Sequence, residues 1–297
     1  MDKRTSLAEA AARVQDGDTV VAGGCLYSRP PYAMLFELLR MGRRDLTLAR
    51  NLMCYEAELF LVDGAATKLM ASWVGIGLPW GIPKVFRQRV EADPALYEEW
   101  SHLSFGLRFL AGSMGMPFLP TASLLGSDLL ARLPAQEMDC PLTGERLVAV
   151  PACQPDVAVI HVHRADVQGN AQVDGPEYMD LEFARAAKTV IVTTEQLVTP
   201  EAVAAAADRT VIPGFLVDAV VEVPFGAYPG EAYGLYEADF AHFDAYVDLV
   251  NSGGDDGVRD YLRRHVTEPG SFAAMLDAVG ASRLLEQRRR ARELVTA

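Results

Sequence analysis

The sequence predicts an α/β fold, a single domain over residues 1–297 with an open, mostly parallel sheet flanked by helices. Three observations carry that prediction. Short apolar runs recur along the chain, and most are continuous, as in strands buried on both faces. Segments of helical periodicity separate them, as parallel strands joined by crossover helices require. Half of the 297 residues are apolar and 23% are charged, enough for a substantial core, and no composition shift divides the chain in two.

The elements follow in order. Ser6 and Glu9 stand at capping-box spacing ahead of an Ala-rich helix predicted over Ser6–Gln15. Asp16-Gly17 is a turn signal, Thr19–Ala22 is a β-prone run, and Gly23-Gly24 ends it abruptly. Pro30-Pro31 then precede a helix at Met34–Met41. Further strands are predicted at Leu46–Leu48, Lys68–Trp73, Leu147–Val150, Val157–Val162, Thr189–Thr193 and Ala219–Val223. Helices are predicted at Tyr97–Met114, Met179–Ala187 and Pro200–Ala207. Phe118–Glu145 reads as irregular, Asn251–Gly257 as a loop, and the region of Arg283–Arg292 as a basic helix.

Charge and composition exclude several functions. A net charge of −13 argues against a nucleic-acid partner, which needs clustered Lys and Arg. Arg29, Arg43, Arg44 and Arg50 form a locally basic stretch that reads first as a solvated face. Four cysteines without a CxxC pair suit reduced thiols and a cytoplasmic location. The N-terminus leads into a helix and not a signal peptide, and no run approaches a membrane span.

Few residues announce chemistry. A strand ending on two glycines lets another molecule approach the backbone, so Gly23 and Gly24 are candidate binding residues. Arg29, five residues beyond Gly24, pairs either with a ligand carboxylate or with a local one such as Glu37. In the run Glu98-Glu99-Trp100-Ser101-His102, the acidic pair reads either as dipole-stabilising charge at a helix start or as a reactive carboxylate. His161 and His163 share a strand face, but only Asp166 offers a third ligand, so no metal site is predicted. Glu195 at a strand end reads as a structural carboxylate. The aromatics Tyr228, Tyr233, Tyr236 and Phe240 read as packing or interface residues. Gly75-Ile-Gly77 is too sparse for a nucleotide loop, and no P-loop, GxGxxG or His-Glu-x-x-His motif is present.

The run from Asp16 through Gly23-Gly24 to Arg29 and Pro31-Tyr32-Ala33 resembles the first signature of the family I CoA-transferases, in its glutaconate-type A (alpha) subunits. The likeness continues in order through the Glu98–Ser101 segment, Met116-Pro-Phe-Leu-Pro120, Ser123–Asp128, the strand ending at His163, Ile212–Asp218 and Tyr233–Tyr236. It covers Ser6 to about Tyr246. A sugar-sensing regulator of related fold is disfavoured, because the chain opens on the Ser6 helix and not on a helix-turn-helix.

The resemblance implies one half, the A-type half, of a hetero-oligomeric enzyme that moves CoA between an acyl-CoA and a carboxylic acid. Coenzyme A enters as a substrate, and no cofactor is permanently bound. The nucleophilic glutamate belongs to a B (beta) subunit, within a Ser-Glu-Asn-Gly type segment that this chain lacks. Gly23 and Gly24 amides are then expected at the developing oxyanion, Arg29 at the far carboxylate of a dicarboxylic acyl group, and Ser101 beside the substrate. The alternative is a CoA-thioester hydrolase that opens a ring in steroid-type degradation, in whose relatives a carboxylate of this region, Glu99 here, takes part in the chemistry.

Overall fold

Seven parallel strands form the body of the main sheet in a computed structural model that describes residues 1–77 and 79–296. They are β1 (Thr19–Ala22), β2 (Leu46–Ala49), β3 (Ala66–Ala71), β4 (Tyr97–Glu99), β5 (Val157–Asp166), β6 (Thr189–Val198) and β7 (Ala219–Glu222). Their spatial order is β4-β3-β2-β1-β5-β6-β7. The chain therefore steps outward from β1 to β4, then returns to the other flank of β1 and steps outward again. Thr19–Val21 pairs with Thr47–Ala49 on one side, and Val20–Ala22 pairs with Val157–Val159 on the other. The order reverses between β1 and β5, where open α/β sheets offer a crevice at their carboxyl edge.

Both faces of the sheet are covered, which explains the continuous apolar runs. Val20 and Ala22 of β1 point into one core and Val21 into the other, and Val157, Val159 and Ala158, Ile160 divide β5 likewise. The first face holds α1 (Leu7–Ala11), α2 (Tyr32–Arg40), α3 (Glu56–Asp63) and α4 (Lys84–Ala92). The second holds α5 (His102–Ser113) and α6 (Asp180–Ala186). A short α7 (Pro200–Ala204) follows β6, and α8 (Phe240–Gly253), α9 (Asp255–Leu262), α10 (Phe272–Val279) and α11 (Ala281–Thr296) complete the chain. Residues of α8 to α10 join the first core through Tyr246, Tyr261 and Phe272. No helix among the described residues is long and apolar enough to cross a membrane.

Several expectations are corrected. Leu147–Val150 lies outside the parallel sheet: Arg146–Pro151 pairs antiparallel with Phe118–Thr121 and Gln136–Asp139, so the region read as irregular contributes two strands. The helix expected over Tyr97–Met114 begins only at His102, because Tyr97–Glu99 pairs with Leu69–Ala71 as an edge strand. The Asn251–Gly257 loop shrinks to a kink at Gly254, whose φ of +57° separates two helices. The capping box at Ser6 and Glu9 is formed in both its bonds.

Candidate active site at the carboxyl edge of the sheet

At the switch point, the chain supplies its own anion. Asp180, the first residue of α6, is wholly buried; its Oδ1 accepts from Gly24 N–H at 2.8 Å and its Oδ2 from Arg29 Nη1 at 2.6 Å. Arg29 is 1% exposed, and it also donates to the carbonyls of His161 at 2.9 Å and Pro176 at 2.8 Å. Its backbone φ of +50° lies in the left-handed region, which a non-glycine residue occupies at a cost that its anchored side chain offsets. Gly23 N–H donates to Val159 O at 2.8 Å. A Cβ on Gly23 would stand 2.7 Å from Asp180 Oδ1, and one on Gly24 2.2 Å from Ser28 O. Close approach does require these glycines, but what approaches them is Asp180 and the returning Ser28–Arg29 backbone.

Two of the four arginines read as a solvated face are therefore interior. Arg50 is also fully buried: it pairs with Glu56 at 2.7 Å and donates to Gly23 O at 3.2 Å and Leu26 O at 2.9 Å. The loop after β1 is thus held from both sides, by Arg50 and by Asp180. Glu37, the local partner considered for Arg29, pairs with Arg40 instead.

One strand outward, β2 and β3 both break off at the same level and resume as the two-residue pair Leu52–Met53 and Trp73–Val74. Asn51 and Ser72 occupy the breaks. Ser72 N–H donates to Asn51 O at 2.9 Å, and Ser72 Oγ lies 2.8 Å from that oxygen and 2.7 Å from Asn51 Oδ1. The exposed imidazole of His102 closes the group, with Nδ1 3.1 Å from Ser72 Oγ and Nε2 3.3 Å from Asn51 Nδ2. Sequence reasoning missed this group, because its members are 21 and 30 residues apart and match no motif. Beyond it, the Tyr27 hydroxyl donates to Ile76 O and packs against the Gly75–Gly77 turn.

The acidic pair divides by strand alternation. Glu98 binds Lys68, Arg108 at 2.6 Å and Trp100 Nε1 at 2.7 Å; burial works against its charge, but these partners hold its carboxyl below the usual range. Glu99 points to solvent on the rim of a cleft of about 510 Å3 that is also lined by Lys68, Tyr97, Arg132 and Leu133. Ser101 caps α5, its Oγ accepting from Ser104 N–H at 3.1 Å. The structure therefore groups Gly23, Gly24 and Arg29 around Asp180, and leaves Glu99 and Ser101 outside that group.

Further buried polar groups are internally satisfied. Glu195 accepts from Phe225 N–H at 2.7 Å, Gly226 N–H at 3.1 Å and the Tyr236 hydroxyl, and meets His161 Nε2 at 2.8 Å, as a structural carboxylate does. His163 accepts from Asp174 N–H and donates to Tyr233 O, and His161 Nδ1 lies 2.9 Å from Thr193 Oγ1, so all four ring nitrogens have partners within the chain. No group of His, Cys, Asp or Glu among the described residues could hold a metal ion. Of the late aromatics, Tyr228 and Tyr236 are buried, while Tyr233 and Phe240 are about half exposed.

Comparison with known proteins extends the likeness over the whole chain. An uncharacterized protein of Archaeoglobus fulgidus is 37% identical over 99% of the chain, which spans 66% of that protein's length. The A subunit of glutaconate CoA-transferase from Acidaminococcus fermentans is 31% identical over 96% of this chain and 94% of that one. The A subunit of 3-oxoadipate CoA-transferase from Pseudomonas knackmussii is 36% identical over 83% and 88%. The crystal structure of the Acidaminococcus glutaconate CoA-transferase superposes with a TM-score of 0.91, 30% identity and coverage of 96% and 95%. A coenzyme A transferase family model matches residues 4–223, from just ahead of α1 to the end of β7, and the chain belongs to the coenzyme A transferase family.

Proposed function

We propose that this chain is the A subunit of a two-subunit CoA-transferase, which moves CoA from an acyl-CoA to a carboxylic acid. The observation that carries the reading is the end-to-end likeness, in sequence and in fold, to a glutaconate CoA-transferase A subunit. In this reaction a carboxylate of the partner attacks the thioester carbonyl and the C–S bond breaks, leaving an acyl anhydride and a CoA thiolate. The thiolate then attacks the partner's own carbonyl carbon in the anhydride, releasing the first acid and leaving a partner-bound CoA thioester. A second acid repeats the steps in reverse, so no net proton is taken up or lost.

This chemistry needs hydrogen-bond donors around acyl oxygens more than it needs a base. In our reading Arg29, Gly23 and Gly24 shape the loop that borders the acyl group, and Ser101 sets the start of α5. Glu99 is the carboxylate left open to solvent, and it is the residue that a ring-opening hydrolase would employ. The test is co-expression with a B-type partner, followed by an assay of glutaryl-CoA with acetate. Acetyl-CoA formed by the complex, and not by the isolated chain, supports the proposal. Robust transfer by the isolated chain overturns it, and release of free CoA without acetyl-CoA, lost in Glu99→Gln, replaces it with hydrolysis.

A further inference from the structure

We propose that Ser72 and His102 form the hydrogen-bonding site for the acyl or carboxylate oxygen of the substrate, with Asn51 as the residue that positions both; this rests on the transferase reading. The three side chains close a ring in which each donates once and accepts once. With Asn51 Nδ2 donating to His102 Nε2 at 3.3 Å, His102 Nδ1–H donates to Ser72 Oγ at 3.1 Å, and the Ser72 proton goes to Asn51 Oδ1 at 2.7 Å. The Asn51 backbone carbonyl, which accepts from Ser72 N–H at 2.9 Å, lies 2.8 Å from Ser72 Oγ and is a second acceptor for the same hydroxyl proton.

Turning the Asn51 amide over reverses the ring without losing a bond. Asn51 then donates to Ser72, Ser72 to His102 Nδ1, and His102 Nε2–H to Asn51 Oδ1. In one sense the proton lying between Ser72 and His102 is on the imidazole, and in the other it is on the hydroxyl. A substrate oxygen that replaces this bond accepts from the imidazole in the first sense and from the hydroxyl in the second. The Ser72–His102 contact is at the surface, while Asn51 is only 4% exposed.

Placement separates this ring from the other polar clusters. The Glu195 network is buried and has no exposed member, and the Arg29–Asp180 pair is fully consumed inside. Among the described residues, the ring alone combines a buried anchor with an exposed imidazole at the carboxyl ends of adjacent parallel strands. It also stands one strand from the Gly23–Leu26 loop, which Leu26 N–H ties to Leu52 O at 3.1 Å.

Two measurements on wild type, Ser72→Ala, His102→Gln and Asn51→Leu test the proposal. The first is steady-state kinetics of the complex with glutaryl-CoA and acetate. Loss of a donor to a developing oxyanion is expected to lower kcat about a hundredfold in Ser72→Ala with KM for glutaryl-CoA nearly unchanged. Asn51→Leu is expected to lower kcat to the same extent, with thermal unfolding reporting any stability loss separately. The second is the imidazole nitrogen NMR signal of His102 in the full chain, assigned by its loss in His102→Gln and titrated with glutarate. A saturable shift in wild type that is absent in Ser72→Ala supports the site, even if the complex transfers no CoA. Normal kcat in all three variants of an active complex overturns the site and leaves the function standing. An inactive complex with no His102 shift overturns both.

Discussion

Asp180 takes one hydrogen bond from Gly24 N–H and another from Arg29, so a single carboxylate ties a loop, a helix start and a buried cation together. Removing its charge leaves Arg29 unpaired in the interior. Asp180→Asn is therefore expected to cost about 3–5 kcal/mol in urea unfolding. Adding Arg29→Met should recover part of that loss, and a double variant no better than the sum of the singles would show that the two residues are uncoupled. Burial also governs the histidines: it pushes His163 down to about 4 and His242 down to about 3. Both are neutral when folded and take up a proton near pH 6.5 when unfolded, so the unfolded chain binds more protons between these values. Stability is then held above pH 6.5 and falls as the pH drops from there toward 4. The expected slope is about 1.4 kcal/mol per pH unit for each histidine. His163→Gln, measured by urea unfolding at pH 7 and pH 5, should lose less stability between the two than wild type does.

At the scale of elements, Ser101 shows how a cap decides a boundary. It is the N-cap of α5, and Ser101→Ala is expected to cost about 1 kcal/mol of stability. Thermal unfolding checks this, with kcat of the complex expected to stay within about twofold. The same boundary shows what the sequence could and could not reveal. Thr19–Ala22, Val157–Val162 and Thr189–Thr193 were legible because burial on both faces leaves continuous apolar runs. Tyr97–Glu99 was not, since an edge strand of three residues with two acids carries no periodicity and merges with the helix that follows. Within the site, the Gly23-Gly24 turn was legible as a place of close approach. Its visitor was not, because Asp180 lies 156 residues from Gly24 and only the folded sheet brings them together. The Asn51–Ser72–His102 ring was hidden for the same reason: its logic is the shared break of two strands, and no local pattern encodes a break in register.

At the scale of the whole molecule, the two outward walks from β1 give one edge where every parallel strand ends, and the Gly23–Arg29 loop and the Asn51–Ser72–His102 ring lie there. The two-subunit reading predicts that this chain associates with a B-type partner. Tyr233 and Phe240 are the members of the late aromatic cluster left partly exposed for such a contact, whereas Tyr228 and Tyr236 are consumed internally. Light scattering on the co-expressed proteins checks this, and a chain that stays a monomer beside its partner would overturn it. The position of β1 has one more consequence, for synthesis. Its neighbour β5 begins only at Val157, well over a hundred residues after Ala22. A ribosome adding ~5–20 residues per second needs roughly seven to twenty-seven seconds to cover that interval. Throughout it, the half-sheet β1 to β4 presents the open side of its innermost strand, an unpaired row of amides and carbonyls ready to pair with another chain. The nascent protein is therefore most prone to aggregation midway through translation, and a chaperone that shields this margin until Val157 emerges should raise the yield of folded protein more than one acting after release.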